Sequence, residues 1–221
     1  MRLKRLAVPW APEKKKHRFV VAPRGPYPLE ECVPLAVVLR DMLGYADSYR
    51  EAKRAIKSGA VSVCGRVRKD HRFAVGLLDV VEVAGQEFYR LVPSRKGFKL
   101  VGIKKSEANK KISKVTDKRV VKGGRIQLNL SDGRNILTDD REIRTQDSLL
   151  ITLPDQGVKE VIKLEKGAVV MCLSGSRRGE LGVVKSRDGK DLVISGDSGE
   201  YEQKVENVIA IGTKKPAVTV S

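Results

Sequence analysis

The chain is poor in the residue types on which most enzymes and secreted proteins depend. It has two histidines, His17 and His71, both lodged among basic residues that would oppose capture of a metal ion. Its three cysteines, Cys32, Cys64 and Cys172, form no CxxC pair. An odd, dispersed set of thiols argues against a disulfide frame or a zinc ribbon and fits a reducing cytosol. No G-x-x-x-x-G-K-[ST] phosphate loop, H-E-x-x-H or G-x-S-x-G occurs, and no carboxylates are paired at a spacing suited to acid–base work. Gly123-Gly124 stands alone and reads as a turn. Catalytic residues, cofactors and metals are therefore expected to be absent. No apolar run approaches the roughly 20 residues of a spanning helix, and no signal peptide or lipidation motif opens or closes the chain, so no membrane partner is expected. Acids are also scarce, with 27 Asp and Glu against 44 Lys and Arg, a net +17 over 221 residues. Like charges repel across a compact surface, and a polyanionic partner offsets that repulsion by releasing counterions, which points to nucleic acid. Only 5% of residues are aromatic, yet 41% are apolar, enough core for two or three small domains.

The charge is uneven. Residues 1–104 hold 22 basic and 10 acidic residues, a net +12, whereas 105–165 hold 13 and 10 and 166–221 hold 9 and 7. The opening stretch, 1–30, reads as an extended arm. Pro9, Pro12, Pro23, Pro26 and Pro28 bar a continuous helix. Between them lie Arg2, Lys4, Arg5, Lys14, Lys15, Lys16, Arg18 and Arg24, interleaved with Trp10, Phe19 and Tyr27. Such a segment cannot pack a core alone; cations on phosphates and aromatics stacked on bases would order it along RNA.

A compact domain is expected over 31–104. Pro34 suits a first helical turn, Leu35, Val38, Leu39 and Met42 follow helical spacing, and Gly44 suits the stop. Ser48 and Glu51 form a capping box opening a second helix that Gly59 ends. On it Ala52, Ala55 and Ile56 should pack inward, while Arg50, Lys53, Arg54 and Lys57, at i, i+3, i+4 and i+7, line one stripe. Ala60-Val61-Ser62-Val63 alternates like a strand, turned by Cys64-Gly65, and Arg66, Arg68, Lys69 and Arg72 follow before the apolar run 77–83. Two basic elements thus converge with few acids among them, and both are candidate RNA contacts.

Residues 105–165 read as a β module. Asp132-Gly133 signals a hairpin between 126–130 and 135–137, with Ile143 and Leu149-Leu150-Ile151 as further strand candidates. Lys104-Lys105 and Lys110-Lys111 would form a basic patch at its entrance, and Asp139, Asp140 and Asp147 would face water. Residues 166–212 are short β runs broken by glycines. Gly175, Gly179 and Gly182 permit a bent hairpin whose tip would project Arg177 and Arg178 toward phosphates. A tail, 213–221, closes the chain. The fold class expected is α+β, mostly β, in several domains.

Several segments resemble known modules. The run Ser48-Tyr49-Arg50-Glu51-Ala52-Lys53-Arg54-Ala55-Ile56-Lys57-Ser58-Gly59, with Gly65-Arg66-Val67, resembles the S-four-type RNA-binding domain over 41–104. Residues 167–185 resemble a KOW module, an SH3-like barrel. The opening Leu3-Lys4-Arg5-Leu6-Ala7-Val8-Pro9-Trp10, Ala22-Pro23-Arg24-Gly25-Pro26 and the closing Asn207-Val208-Ile209-Ala210-Ile211-Gly212 look like the archaeal and eukaryotic small-subunit ribosomal protein family S-four-e. That resemblance spans essentially the whole chain, in order. It implies a cytoplasmic structural constituent of the small ribosomal subunit, bound to ribosomal RNA and to neighbouring ribosomal proteins, and not an obligate homo-oligomer. Glu180 departs from the pattern by placing an acid beside the KOW loop. An RNA-modifying enzyme would need a catalytic domain or nucleotide-binding signatures. A KOW-containing transcription factor would need a binding domain beside its barrel, whereas here the amino-terminal half holds most of the charge.

Overall fold

The computed structural model describes residue 10, residues 20–197 and residues 199–220. Arg2, Lys4, Arg5, Lys14, Lys15, Lys16 and Arg18, expected to bind RNA, lie outside the described residues. The architecture is mostly β with few helices, and it divides into two compact units, 1–109 and 110–221.

Unit 1 begins with β1 (Cys32–Pro34), which pairs antiparallel with β4 (Ala74–Gly76). From Pro34 the chain enters α1 (Leu35–Val37), which widens into a π-turn over Val38–Met42 before Gly44 adopts a left-handed conformation. Leu35, Val38 and Leu39 are buried, so the apolar spacing marks the inward face despite the irregular winding. α2 (Tyr49–Ser58) is bounded as its caps dictate: Ser48 Oγ accepts from the Glu51 amide at 3.2 Å, and Gly59 sits at φ +88°. The Glu51 carboxylate reaches back one residue further than a capping box requires, to the Asp47 amide. Ala52 and Ile56 are buried and Ala55 half-buried.

The main sheet of unit 1 runs β3-β2-β5-β6-β7, all antiparallel, from β2 (Val61–Val63), β3 (Arg66–Val67), β5 (Val80–Val83), β6 (Glu87–Ser94) and β7 (Gly97–Gly102). Cys64 and Gly65, at φ 52° and 73°, form the two-residue turn between β2 and β3, whose positive φ values match the strand twist.

Unit 2 holds two five-stranded antiparallel sheets. The first, β10-β9-β8-β11-β12, comprises β8 (Lys110–Val120), β9 (Ile126–Leu130), β10 (Asn135–Thr138), β11 (Ser148–Thr152) and β12 (Val158–Ile162). The Asp132-Gly133 turn joins β9 to β10 as its sequence predicts, with Gly133 at φ +78°. Val115, Ile126, Leu128, Leu130, Leu149 and Ile151 build the core with Ile143, which lies outside any strand, contrary to its reading as a strand candidate. The second sheet, β16-β15-β14-β13-β17, comprises β13 (Val169–Cys172), β14 (Leu181–Asp188), β15 (Asp191–Gly196), β16 (Gly199–Lys204) and β17 (Val208–Gly212). Beyond it, the Ala217 amide bonds the Ile211 carbonyl and Val218 and Val220 are buried, so the last residues fold back.

Two charged residues of unit 2 depart from expectation, and a third is buried with them. Lys111, read as part of a surface patch, is fully buried against Asp132 at 2.8 Å, and Ser113 Oγ donates to the same carboxylate. Burial alone would raise the Asp132 carboxyl, but the Lys111 charge and hydrogen bond, with Arg134 and Ser113, hold it below the usual carboxylate range. Asp147, expected to face water, is buried and accepts from the amides of Arg144 and Leu164. Lys114 is buried as well, and its ammonium donates to the carbonyls of Val205, Glu206 and Val208, each at 2.9 Å. Thus β8 of the first sheet grips the turn that leads into β17 of the second.

Candidate nucleic-acid interface

The cations of α2 stand where helical periodicity puts them. Ala52 and Ile56 turn inward, so Arg50, Arg54 and Lys57 are exposed and Lys53 is half-buried on the opposite side. The turn after β3 closes against the end of this helix. A side chain at Gly59 would meet Val67 at 3.5 Å and the Lys69 stem at 4.0 Å, so Lys69 passes beside the helix cap. His71 joins the two elements: its ring meets that of Tyr49 edge-on at 5.5 Å. Burial lowers the His71 pKa first, then Lys53, with Arg72 and Lys57 acting in the same sense against Asp70. Three cations from two elements therefore act on one imidazole.

Within this surface the roles divide. Arg50, Lys53, Arg54, Lys57, Arg66 and Lys69 make no ion pair or side-chain hydrogen bond among the described residues, and neither does the exposed Arg24 side chain. Arg68 is half-buried with its guanidinium 4.2 Å over the Phe73 ring, and Arg72 Nε donates to the Ala22 carbonyl at 3.0 Å. Both thus shape the turn as well as charging it. The acid of the turn, Asp70, accepts from the Arg72 amide.

The last part of the arm is fastened to unit 1, unlike a segment that only a partner orders. Arg24 pairs with Phe73 in a parallel bridge, its amide bonding the Arg72 carbonyl and its carbonyl accepting from Ala74. Tyr27, read as a base-stacking aromatic, instead covers Gly76, where even a Cβ would collide with its ring, and its hydroxyl donates to the Asp79 carboxylate at 3.0 Å. Asp79 also accepts from the Gly76 amide and the Cys64 thiol. Trp10 is buried as well. Periodicity missed Tyr27 and Asp79. The signal available was an acid inside the apolar run 77–83, which marks a buried acceptor awaiting donors.

The loop between β13 and β14 does not project its arginines freely. Arg177 is half-buried, lies 4.1 Å over the Tyr201 ring and pairs with Glu180 at 3.2 Å, and Arg178 is half-buried too. Glu180, the departure noted in the sequence, folds Arg177 back onto the sheet. Other cations of unit 2 are paired too: Arg119 with Asp117, Arg125 with Asp139, Lys163 with Glu142 and Lys185 with Glu200. The three cysteines are buried free thiols, and burial above all pushes that of Cys32 up to about 12.

Comparison with known proteins places this geometry. Residues 85–158 match the model of Ribosomal family S4e. The small ribosomal subunit protein eS4 of Aeropyrum pernix is 40% identical over 239 residues, covering 99% of this chain and 94% of that protein. Its counterpart in Ignicoccus hospitalis is 38% identical over 98% of this chain and 93% of its own length. The crystal structure of the 30S ribosomal protein S4e from Thermoplasma acidophilum superposes with a TM-score of 0.74 at 33% identity, over 83% of this chain and 96% of that one.

Proposed function

The chain belongs to Ribosomal family S4e, and from that premise we propose that it is a structural constituent of the cytoplasmic small ribosomal subunit, binding ribosomal RNA through unit 1 and supporting subunit assembly and translation. Residues 31–104 are read as an S-four-type RNA-binding domain and 166–212 as an SH3-like KOW barrel. The role is architectural, not catalytic. One observation carries the RNA reading: Arg50, Lys53, Arg54, Lys57, Arg66 and Lys69, on α2 and the turn after β3, make no ion pair among the described residues, and three cations of these elements bear on His71 against the Asp70 carboxylate. Unpaired cations on one face neutralise phosphates and release counterions, fixing the register of the protein on its RNA. Arg24, Arg50, Lys53, Arg54, Lys57, Arg66 and Lys69 are the proposed contacts, with Arg68 and Arg72 holding the turn. Arg177 and Arg178 are secondary, because Glu180 and Tyr201 already engage Arg177.

The test is Lys53→Ala with Arg54→Ala, assayed by filter binding to small-subunit ribosomal RNA across a salt series. The slope of log affinity against log salt should shrink by about 1.4–1.8, at roughly 0.7–0.9 per phosphate contact. An unchanged slope rejects this surface. A chain that never sediments with small subunits rejects the ribosomal assignment.

A further inference from the structure

Unit 1 carries a second set of cations that the surface around His71 does not use. From residue 88 to residue 106 the sequence contains no acid but holds Arg90, Arg95, Lys96, Lys99, Lys104 and Lys105. The acids that flank this stretch are engaged elsewhere. Glu87 accepts from the Tyr89 hydroxyl at 2.6 Å, and Glu107 faces the fully buried Arg90, 3.5 Å from its guanidinium. The other five cations are exposed and have no ion pair among the described residues.

Topology places them apart from the first surface. Ser94 pairs with Gly97 across β6 and β7, so Arg95 and Lys96 are the two corner residues of a two-residue hairpin, and nothing but cations forms its tip. Lys99 lies on β7, an edge strand. In the order β3-β2-β5-β6-β7, the first surface borders β3 and the second borders β7. Four strand spacings separate them, about 19 Å at roughly 4.8 Å each. A turn whose corners are both cations, with its neighbouring acids withdrawn, is arranged for polyanion contact; an acidic protein would find no apolar anchor at such a tip.

We propose that the β6–β7 hairpin tip and β7 form a second RNA-backbone site, through Arg95, Lys96 and Lys99, so that unit 1 holds two separate RNA segments against opposite edges of one sheet. This rests on the ribosomal RNA reading and adds to it that the domain is a bridge. The experiment uses the full chain, hydroxyl-radical footprinting on small-subunit ribosomal RNA, and a salt series. Wild type should protect two separate patches. The variant R95A/K96A/K99A should lose one patch and reduce the salt slope by about 2.1–2.7, three contacts at roughly 0.7–0.9 each. K53A/R54A should lose the other patch. R95Q/K96Q changes only the exposed turn, and should weaken the same patch even if the triple variant fails to fold. If folded R95Q/K96Q keeps both patches and the full slope, the second site is overturned. The same holds if these residues prove to capture an acidic protein while the RNA footprint stays intact. Absence of any protection by wild type sinks the ribosomal RNA reading itself, a distinguishable result.

Discussion

His71 is the residue at which the electrostatics of unit 1 can be read directly. Burial and three neighbouring cations hold its pKa below the ordinary histidine value near 6.5. Its neutral form is therefore favoured in the folded state. The contribution to stability is complete above about pH 6.5 and drains away as the pH falls toward the depressed value. A phosphate set against Lys53, Lys57 and Arg72 would cancel part of the field that depresses it. The imidazole pKa is then expected to rise on RNA binding, and binding should take up a proton and tighten as the pH falls from 7 to 6. Imidazole proton shifts in the free and bound states check this, with only one other histidine, His17, to distinguish. An imidazole pKa that does not move would place the RNA elsewhere.

At the scale of elements, Lys114 fastens the first sheet of unit 2 to the second. Its ammonium satisfies three carbonyls, two in the turn before β17 and one at its first residue, 91 to 94 residues further along the chain. Lys114→Met keeps most of the stem but strands those acceptors, at about 3 kcal/mol or more in total. Calorimetry should show the transition of unit 2 falling while that of unit 1 stays. If neither transition moves, water replaces the ammonium without loss. The same elements show what a linear sequence can carry. The caps at Ser48 and Gly59, the Asp132-Gly133 hairpin and the stripe on α2 were legible because their causes lie within a few residues. Lys111, Lys114 and Asp147 were not. Each looks like a solvated charge until a remote partner arrives, Asp132 in the case of Lys111, 21 residues away. Tyr27 and Asp79, 52 residues apart, were hidden for the same reason. Arg177 misled because the hairpin was correctly read while the ring of Tyr201, on another strand, was out of view.

Across the whole molecule the charge follows the division into units. Residues 1–109 carry 23 basic and 11 acidic residues, and 110–221 carry 21 and 16. Added salt screens repulsion among unpaired cations, and it does less for pairs that are already neutralised. Raising the salt should therefore lift the melting temperature of unit 1 in the free protein more than that of unit 2, while weakening the RNA complex. Differential scanning calorimetry at two ionic strengths checks this; an equal response of both transitions would contradict it.

The cation-rich faces of unit 1 also govern how the molecule behaves before it reaches its place. With those side chains engaged in no ion pair among the described residues, the domain will adhere to whatever polynucleotide it first meets, and discrimination must come from shape, not charge. Material purified at low ionic strength should accordingly carry cellular nucleic acid, visible in its ultraviolet absorbance, and should shed it in a high-salt wash with the fold intact.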